Sequence, residues 1–312
     1  KILQNILKSL ARATLRRYKP GIIGITGNVG KTSTKDAIKA VLGSDRNVRA
    51  SSKNFNNEIG LPLTIIGNWE KVGGVFFYIK AILIGIFGII IKKKSYPEML
   101  ILEYGVDKPG DMKRLLEIAR PQIGVITAIG ETPVHIEFFA GKEAIVREKA
   151  RMIACLPATG FAVLNGDMPT VLGMGKGTRA HSIVYGAAAR ADVRISNIET
   201  SLNNGRAETS FKITYGGSMV PIKLENVLGT TQVPNATAAA AVGLAFGINL
   251  VKVAESLNSF TSPPGRMKVI PGIKGSIIID DTYNSSPLAT KEALKTLSSI
   301  GAKRKIAVIG DM

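Results

Sequence analysis

The sequence predicts an α/β fold. The expected form is a P-loop central domain with a mostly parallel sheet, followed by a partial Rossmann-like C-terminal domain. Three observations carry this. Apolar, β-prone runs alternate with segments of helical period from Gly21 onward. The first of these runs, GIIGITGNVGKTSTKD at 21–36, passes from strand through a glycine turn into a helix. The run TSPPGR, Thr261–Arg266, punctuates the chain before a fresh series begins at Met267. At 312 residues the chain can bury two cores, and 45% apolar with 21% charged residues excludes a disordered tail.

Ile2 to Leu15 reads as an amphipathic helix, with Leu3, Leu7 and Leu10 on one stripe and Lys8, Arg12, Arg16 and Arg17 elsewhere, so 1–19 is expected as a basic helix closed by Pro20. The central domain is expected over 20–262. In its loop, Thr26, Gly27, Asn28, Val29 and Gly30 can turn backbone N–H groups toward a phosphate, and the helix that follows adds positive potential. Lys31 can reach β- and γ-phosphates, the Thr32 hydroxyl can ligate Mg²⁺, and Ser33 follows on the same helix. The usual glycine five positions before Gly30 is Ile25 here, flanked by Gly24 and Gly27. A nucleotide with Mg²⁺ is the ligand this loop predicts.

VFFYIKAILIGIFGIIIKKK, Val75–Lys94, is an apolar insertion, at its most continuous over 75–91 and interrupted there only by Lys80. As a helix 75–91 spans about 25 Å at 1.5 Å per residue, short of the ~30 Å hydrocarbon core. One crossing would also separate the loop from residues after it that must share its ligand. The expectation is peripheral membrane contact through 75–94, with a buried core helix or a dimer contact as the alternative. The next strand, EMLILEYG, ends near Glu103, an acid at the carboxyl edge where open α/β sheets bind ligands and a second Mg²⁺ ligand is expected. A third strand, QIGVITAIG, leads to His135. An isolated histidine is more simply a hydrogen-bonded loop residue, but this one follows a strand on the ligand edge. Fourteen residues on, Lys149 lies on a helix, where a lysine is ordinarily solvated or paired. An antiparallel patch is expected from Asp192 to Glu225, then a helix over PNATAAAAVGLAFGI. From Met267 a β-α-β unit is expected: SIIIDDTYN, a helix across Ala289–Leu297, and RKIAVIGDM.

The formal charge of +18 predicts anionic ligands or surfaces without choosing among them. Aromatics at 6% are not interleaved with basic runs, so no nucleic-acid partner is expected. Cys155 is the only cysteine, which excludes an internal disulfide framework and suits a reducing cytoplasm. The chain opens on Lys1 and stops on a strand-like run, so a fragment or trimmed chain is expected, without a leader peptide.

ITGNVGKTS, NFNNEIGLPLT, LEYG, His135 with Lys149, FAVLNGDMP, PGRMKVI, DDTYNSSPLAT and VIGDM occur in this order. Together they resemble the Mur ligase family over about Pro20 to Met312. YNSSP and NFNNEIGLPLT point to the branch that joins a nucleotide-linked muramoyl tripeptide to a dipeptide. The resemblance implies that the loop binds ATP and that Thr32 and Glu103 hold one Mg²⁺. It implies that His135 and a carbamylated Lys149 hold or support a second, that Arg266 and Asp281 contact the nucleotide from the next domain, and that Asn235 lies by the adenine. The histidine–asparagine pair usual in the family before that helix is Thr231 and Gln232 here. The implied reaction passes the γ-phosphoryl group of ATP to a carboxylate, and an amine then attacks the acyl phosphate. Lys31, His135 and Lys149 are its catalytic residues. Its partners are a small-molecule or nucleotide-linked peptide and an amine. A cytoplasmic monomer is expected, and the insertion at 75–94 would bring it to the inner face of the membrane. The family's usual N-terminal sugar-nucleotide domain does not fit in nineteen residues, and 263–312 matches only the start of its C-terminal domain. Two other readings stay open: a nucleotide-binding relative without ligase activity, and a poly-γ-glutamate or folate-type amide ligase.

Overall fold

A computed structural model describes residues 1–51, 55–69, 71–203 and 206–311. Asn54 of the NFNNEIGLPLT run and Met312 of VIGDM lie outside the described residues. Helix α1 (Ile2–Tyr18) leads into β1 (Gly21–Thr26), and the turn after it opens α2 (Lys31–Gly43). Strand β2 (Val48–Ala50), helices α3 (Gly60–Ile66) and α4 (Gly74–Ile90) and strand β3 (Met99–Glu103) follow. Next come α5 (Asp111–Ile118), β4 (Ile123–Ile126), α6 (Lys142–Ala154), β5 (Phe161–Asn165), α7 (Pro169–Gly173) and β6 (His181–Gly186). The long strands β7 (Val193–Asn203), β8 (Arg206–Tyr215) and β9 (Ser218–Glu225) precede α8 (Val233–Ala245) and α9 (Leu250–Leu257). The hairpin β10 (Lys268–Pro271) and β11 (Ile277–Asp280) and helix α10 (Pro287–Ser299) complete the order.

Among the described residues nine strands pair in the order β2-β3-β1-β4-β5-β6-β7-β8-β9. Pairing is parallel as far as β7 and antiparallel from β7 to β9, so the antiparallel patch extends the main sheet. The central strands are apolar on both faces because both are covered. On one side α2 and the alanine-rich α8 pack Ile38, Val41, Leu42 and Ala238–Ala241 against Ile23 and Ile25. On the other, Ile22, Leu100, Leu102 and Ile126 meet Leu115 of α5 and Met152 and Ile153 of α6. Strand β1 sits between β3 and β4, the strand reached by the chain on each side of it. This reversal opens a crevice at the carboxyl ends of the three strands, where α/β sheets take ligands.

Helix α1 runs three residues beyond the predicted Leu15 and ends at Lys19, which takes a left-handed φ of 51° before Pro20. Its Lys8 pairs with Glu117 at 2.6 Å. The apolar insertion forms α4, whose Ala81 is buried with Leu7, Leu63 and Ile66 in a small separate core. Tyr18 Oη donates to the Gly88 carbonyl at 2.6 Å and stacks on Tyr96 at 3.9 Å, tying α4 to α1 and to the edge of the sheet. No helix among the described residues is long and apolar enough to cross a membrane.

After Arg266 the structure departs from the expected β-α-β. Strands β10 and β11 form a two-stranded antiparallel sheet of their own. Residues 301–311 carry no helix or strand, and Val308 is 95% exposed. A strand is stabilised by its neighbours' backbone groups, and among the described residues none lies beside this run. Helix α10 is capped by the Ser286 hydroxyl, which accepts from Ala289 N at 3.3 Å. It rests on the turn before α8: Gly229, at φ 82°, lies so close to Thr296 that a Cβ there would come within 2.3 Å of its Oγ1.

Candidate functional site

The loop between β1 and α2 lies in the crevice. Asn28 N and Val29 N donate to the Ala128 carbonyl after β4, at 2.7 and 3.2 Å, which pins the loop to the neighbouring strand end. Gly30 turns the chain into α2 with a φ of 89°, and a Cβ there would meet Asn235 Oδ1 at 2.4 Å. Both the left-handed backbone and the close approach demand glycine. Gly30→Ala is therefore expected to lower stability by about 1–3 kcal/mol and to weaken nucleotide binding, read by thermal melting and nucleotide titration.

Lys31 is half-buried, and its Nζ folds back onto the carbonyls of Gly27 (3.0 Å) and Asn28 (3.4 Å). Lys149, only 2% exposed on α6, donates to the same Gly27 carbonyl at 3.2 Å. Neither ammonium forms an ion pair among the described residues. Burial lowers the pKa of Lys31, opposed by the charge of Glu103. Burial also brings Lys149 from its ordinary 10.5 to about 7, with the Lys31 charge as the next cause. Two desolvated cations thus converge on one carbonyl oxygen, an arrangement that a polyanion relieves.

Glu103 ends β3 and is 1% exposed. Its Oε1 has no hydrogen-bond partner, and the nearest cation is Lys35 Nζ at 3.4 Å, itself 1% exposed. Lys35 lies one turn after Lys31 on α2 and shares its charge with Asp36 at 3.6 Å. Sequence reading missed it, because a lysine on a helix gives no sign that its face is the buried one. The available signal was its i+4 spacing from Lys31, which puts the two on one side of α2.

Thr32, Glu103, His135 and Lys149 all line one cleft with Gly27–Lys31 and Arg266. His135 adopts a left-handed φ of 68° before a short 3₁₀ turn at Ile136–Phe138, and its Nε2 is 3.3 Å from Asp107 Oδ1. A positive φ in a non-glycine residue beside a binding cleft is the kind of strain found at functional sites. The far wall comes from the segment after β11: Tyr283, Asn284, Ser285 and Ser286. Arg266 stacks its guanidinium 4.3 Å over the Tyr283 ring and reaches the cleft from the linker. Tyr283–Ser286 belong to the YNSSP run and are not among the predicted site residues.

Four predicted residues stand behind the cleft rather than in its wall. Thr26 Oγ1 donates to the Tyr104 carbonyl at 2.8 Å, joining β1 to the end of β3. Ser33 is buried on α2. Asn235 Oδ1 accepts from Thr34 Oγ1 at 3.1 Å and backs Gly30, while its Nδ2 donates to Thr231 O and Gln232 Oε1. Asp281 Oδ1 accepts from Met267 N at 3.1 Å and braces the linker beside Arg266.

Among the described residues no group of three or more His, Cys, Asp or Glu could hold a metal by itself. Mg²⁺ on a nucleotide takes one or two protein ligands and completes its shell with phosphates and water. Glu103, whose buried Oε1 has no hydrogen-bond partner, and Thr32 both line the cleft, and their oxygens are a donor set that fits it.

The Mur ligase middle domain profile matches residues 89–243. The UDP-N-acetylmuramoyl-tripeptide–D-alanyl-D-alanine ligase of Bacillus subtilis is 31% identical over 98% of this chain and 59% of its own length. The MurF ligase of Thermotoga maritima, solved in complex with ADP, superposes with a TM-score of 0.76 at 27% identity, covering 95% of this chain and 61% of that one. MurF from Acinetobacter baumannii gives a TM-score of 0.78 at 21% identity, over 96% of this chain and 58% of that one, a likeness of fold. The chain thus spans about three-fifths of the length of the relatives it matches.

Proposed function

This chain belongs to the Mur ligase family, and from that membership we propose that it is the nucleotide-binding part of an ATP-dependent amide-bond ligase in peptidoglycan precursor synthesis. The observation that carries the proposal is the convergence of Lys31 and the buried Lys149 on the Gly27 carbonyl, in one cleft with Thr32, Glu103 and Arg266. The carboxylate substrate is a nucleotide-linked muramoyl peptide and the amine is a dipeptide of the D-alanyl-D-alanine kind, by similarity to the Bacillus relative. The working compartment is the cytoplasm, where ATP is available, and the working unit is a monomer.

Phosphoryl transfer needs position and charge neutralisation more than a covalent residue. The open N-terminus of α2, at Lys31 and Thr32, receives the triphosphate. Lys31 leaves the Gly27 and Asn28 carbonyls for the β- and γ-phosphates. Arg266 approaches from the linker and neutralises charge as it shifts to the leaving ADP, with Asp281 holding that linker in place. The substrate carboxylate attacks the γ-phosphorus, ADP leaves, and the acyl phosphate forms. The amine then adds to the carbonyl carbon, phosphate departs, and the ammonium proton passes to a nearby base, for which the Asp107 carboxylate in the cleft wall is placed. Thr32 and Glu103 would hold one Mg²⁺, and His135 with Lys149, carbamylated, would support a second. When bound, these ions screen the repulsion between carboxylate and triphosphate.

The test is phosphate release by the full-length protein with muramoyl peptides and dipeptides. Amine-dependent release that needs both substrates is the expected result. ATP binding with no amine-dependent release would reduce the protein to a nucleotide-binding relative, and release with a folate and glutamate would move it to the γ-glutamyl-adding ligases.

A further inference from the structure

Helix α4 is seated on the protein by one face only. Ala81 and Gly85 point inward, toward Ile66 and Leu10. The opposite face carries Val75 (72% exposed), Phe76 (87%), Leu83 (60%), Phe87 (58%) and Ile90 (70%). At 100° per residue these five fall within an arc of about 120°, so they form one continuous apolar stripe along the helix. Isolated exposed apolar residues are ordinary on a protein surface; a stripe of this length is a binding surface.

The charges around the stripe have one sign. Lys80 lies at its margin, and Lys92, Lys93 and Lys94 are exposed directly after the helix. Neither 71–97 nor 1–19, which includes the neighbouring helix α1, contains an aspartate or glutamate. A self-complementary dimer through this face would bring these lysines together with no carboxylate to pair them. An anionic surface with an apolar interior supplies both complements at once. The helix is too short to cross a bilayer, and β2 and β3, which flank its connection, lie side by side in one sheet.

We propose that α4 is an interfacial anchor that lies in the plane of an anionic lipid bilayer. Its Val75–Ile90 stripe inserts at the acyl boundary, and Lys92–Lys94 meet the head groups. The proposal stands apart from the ligase reading: neither the stripe nor the lysines line the nucleotide cleft.

The test is flotation of the full chain with vesicles of phosphatidylcholine alone and with a third phosphatidylglycerol, beside light scattering of the protein in solution. Binding is expected to the anionic vesicles, to be far weaker on neutral ones, and to weaken as salt rises. The triple change Phe76→Ser, Leu83→Ser and Phe87→Ser is expected to abolish flotation. Lys92→Glu, Lys93→Glu and Lys94→Glu together should weaken it by roughly a hundredfold at low salt. The lysine variant lies outside α4 and keeps the test valid if the serine variant fails to fold. ATP binding by each variant serves as the folding control. No flotation of the intact chain on anionic vesicles overturns the proposal. So does a solution dimer that the serine changes dissociate, which would make the stripe a contact between copies.

Discussion

Lys31→Ala is expected to reduce amine-dependent phosphate release by roughly 10³-fold or more while leaving the protein folded. The magnitude is that of removing a preorganised charge from a transferring phosphoryl group. The fold survives because the lysine makes only hydrogen bonds to Gly27 and Asn28 carbonyls and is desolvated at a cost, as the lowered pKa reports. Melting temperature should stay level or rise as turnover disappears. Near-normal turnover in this variant would overturn the assignment of the loop.

Lys149→Met separates stability from function more sharply. The native amine is buried on α6, 2% exposed, and its pKa is held near 7 by burial and by Lys31. At pH 6 the folded protein carries a buried charge, so the variant should be more stable by on the order of 2 kcal/mol. The pH dependence has a definite sign. Between about pH 7 and 10.5 the unfolded lysine holds a proton that the folded one has lost, so native stability rises with pH through that window. The Met variant lacks this rise, and the two urea-denaturation curves should approach each other as pH increases. Activity should nonetheless be lost. A neutral amine is also the form that adds CO₂, so ¹³C-bicarbonate should give a carbamate carbon signal in the native protein and none in the variant. A Met variant that is less stable at pH 6 would show that Lys149 carries a compensating partner.

What could be read in advance divides along a physical line. Local chemistry was legible: the glycine turn, Lys31 and Thr32 at a helix start, and Glu103 at a strand end are written in adjacent residues. His135 and Lys149 were legible only as a set, through their order with the other motifs. What depends on distant pairing was not. The Lys35–Glu103 contact joins α2 to β3 and leaves no periodic trace. Asn235 was expected near the adenine, but its approach to Gly30 depends on how deeply the alanine-rich α8 packs on α2. The run RKIAVIGDM, 304–312, has the apolar content of a strand, whereas a strand is made by its neighbours, and its described part, 304–311, has none. The apolar insertion was recognised as unusual, but only the packing of α1 under α4 shows which of its faces is spent and which is free.

The contact of Gly229 with Thr296 makes α10 a lever with its fulcrum on the turn before α8. The far end of that lever is Ser286, and Ser285 and Tyr283 ride just ahead of it at the mouth of the nucleotide cleft. A methyl group added at Gly229 would lift the helix without touching the phosphate loop. The cleft would then open from its far wall, and affinity for ATP would fall at a residue that never meets it.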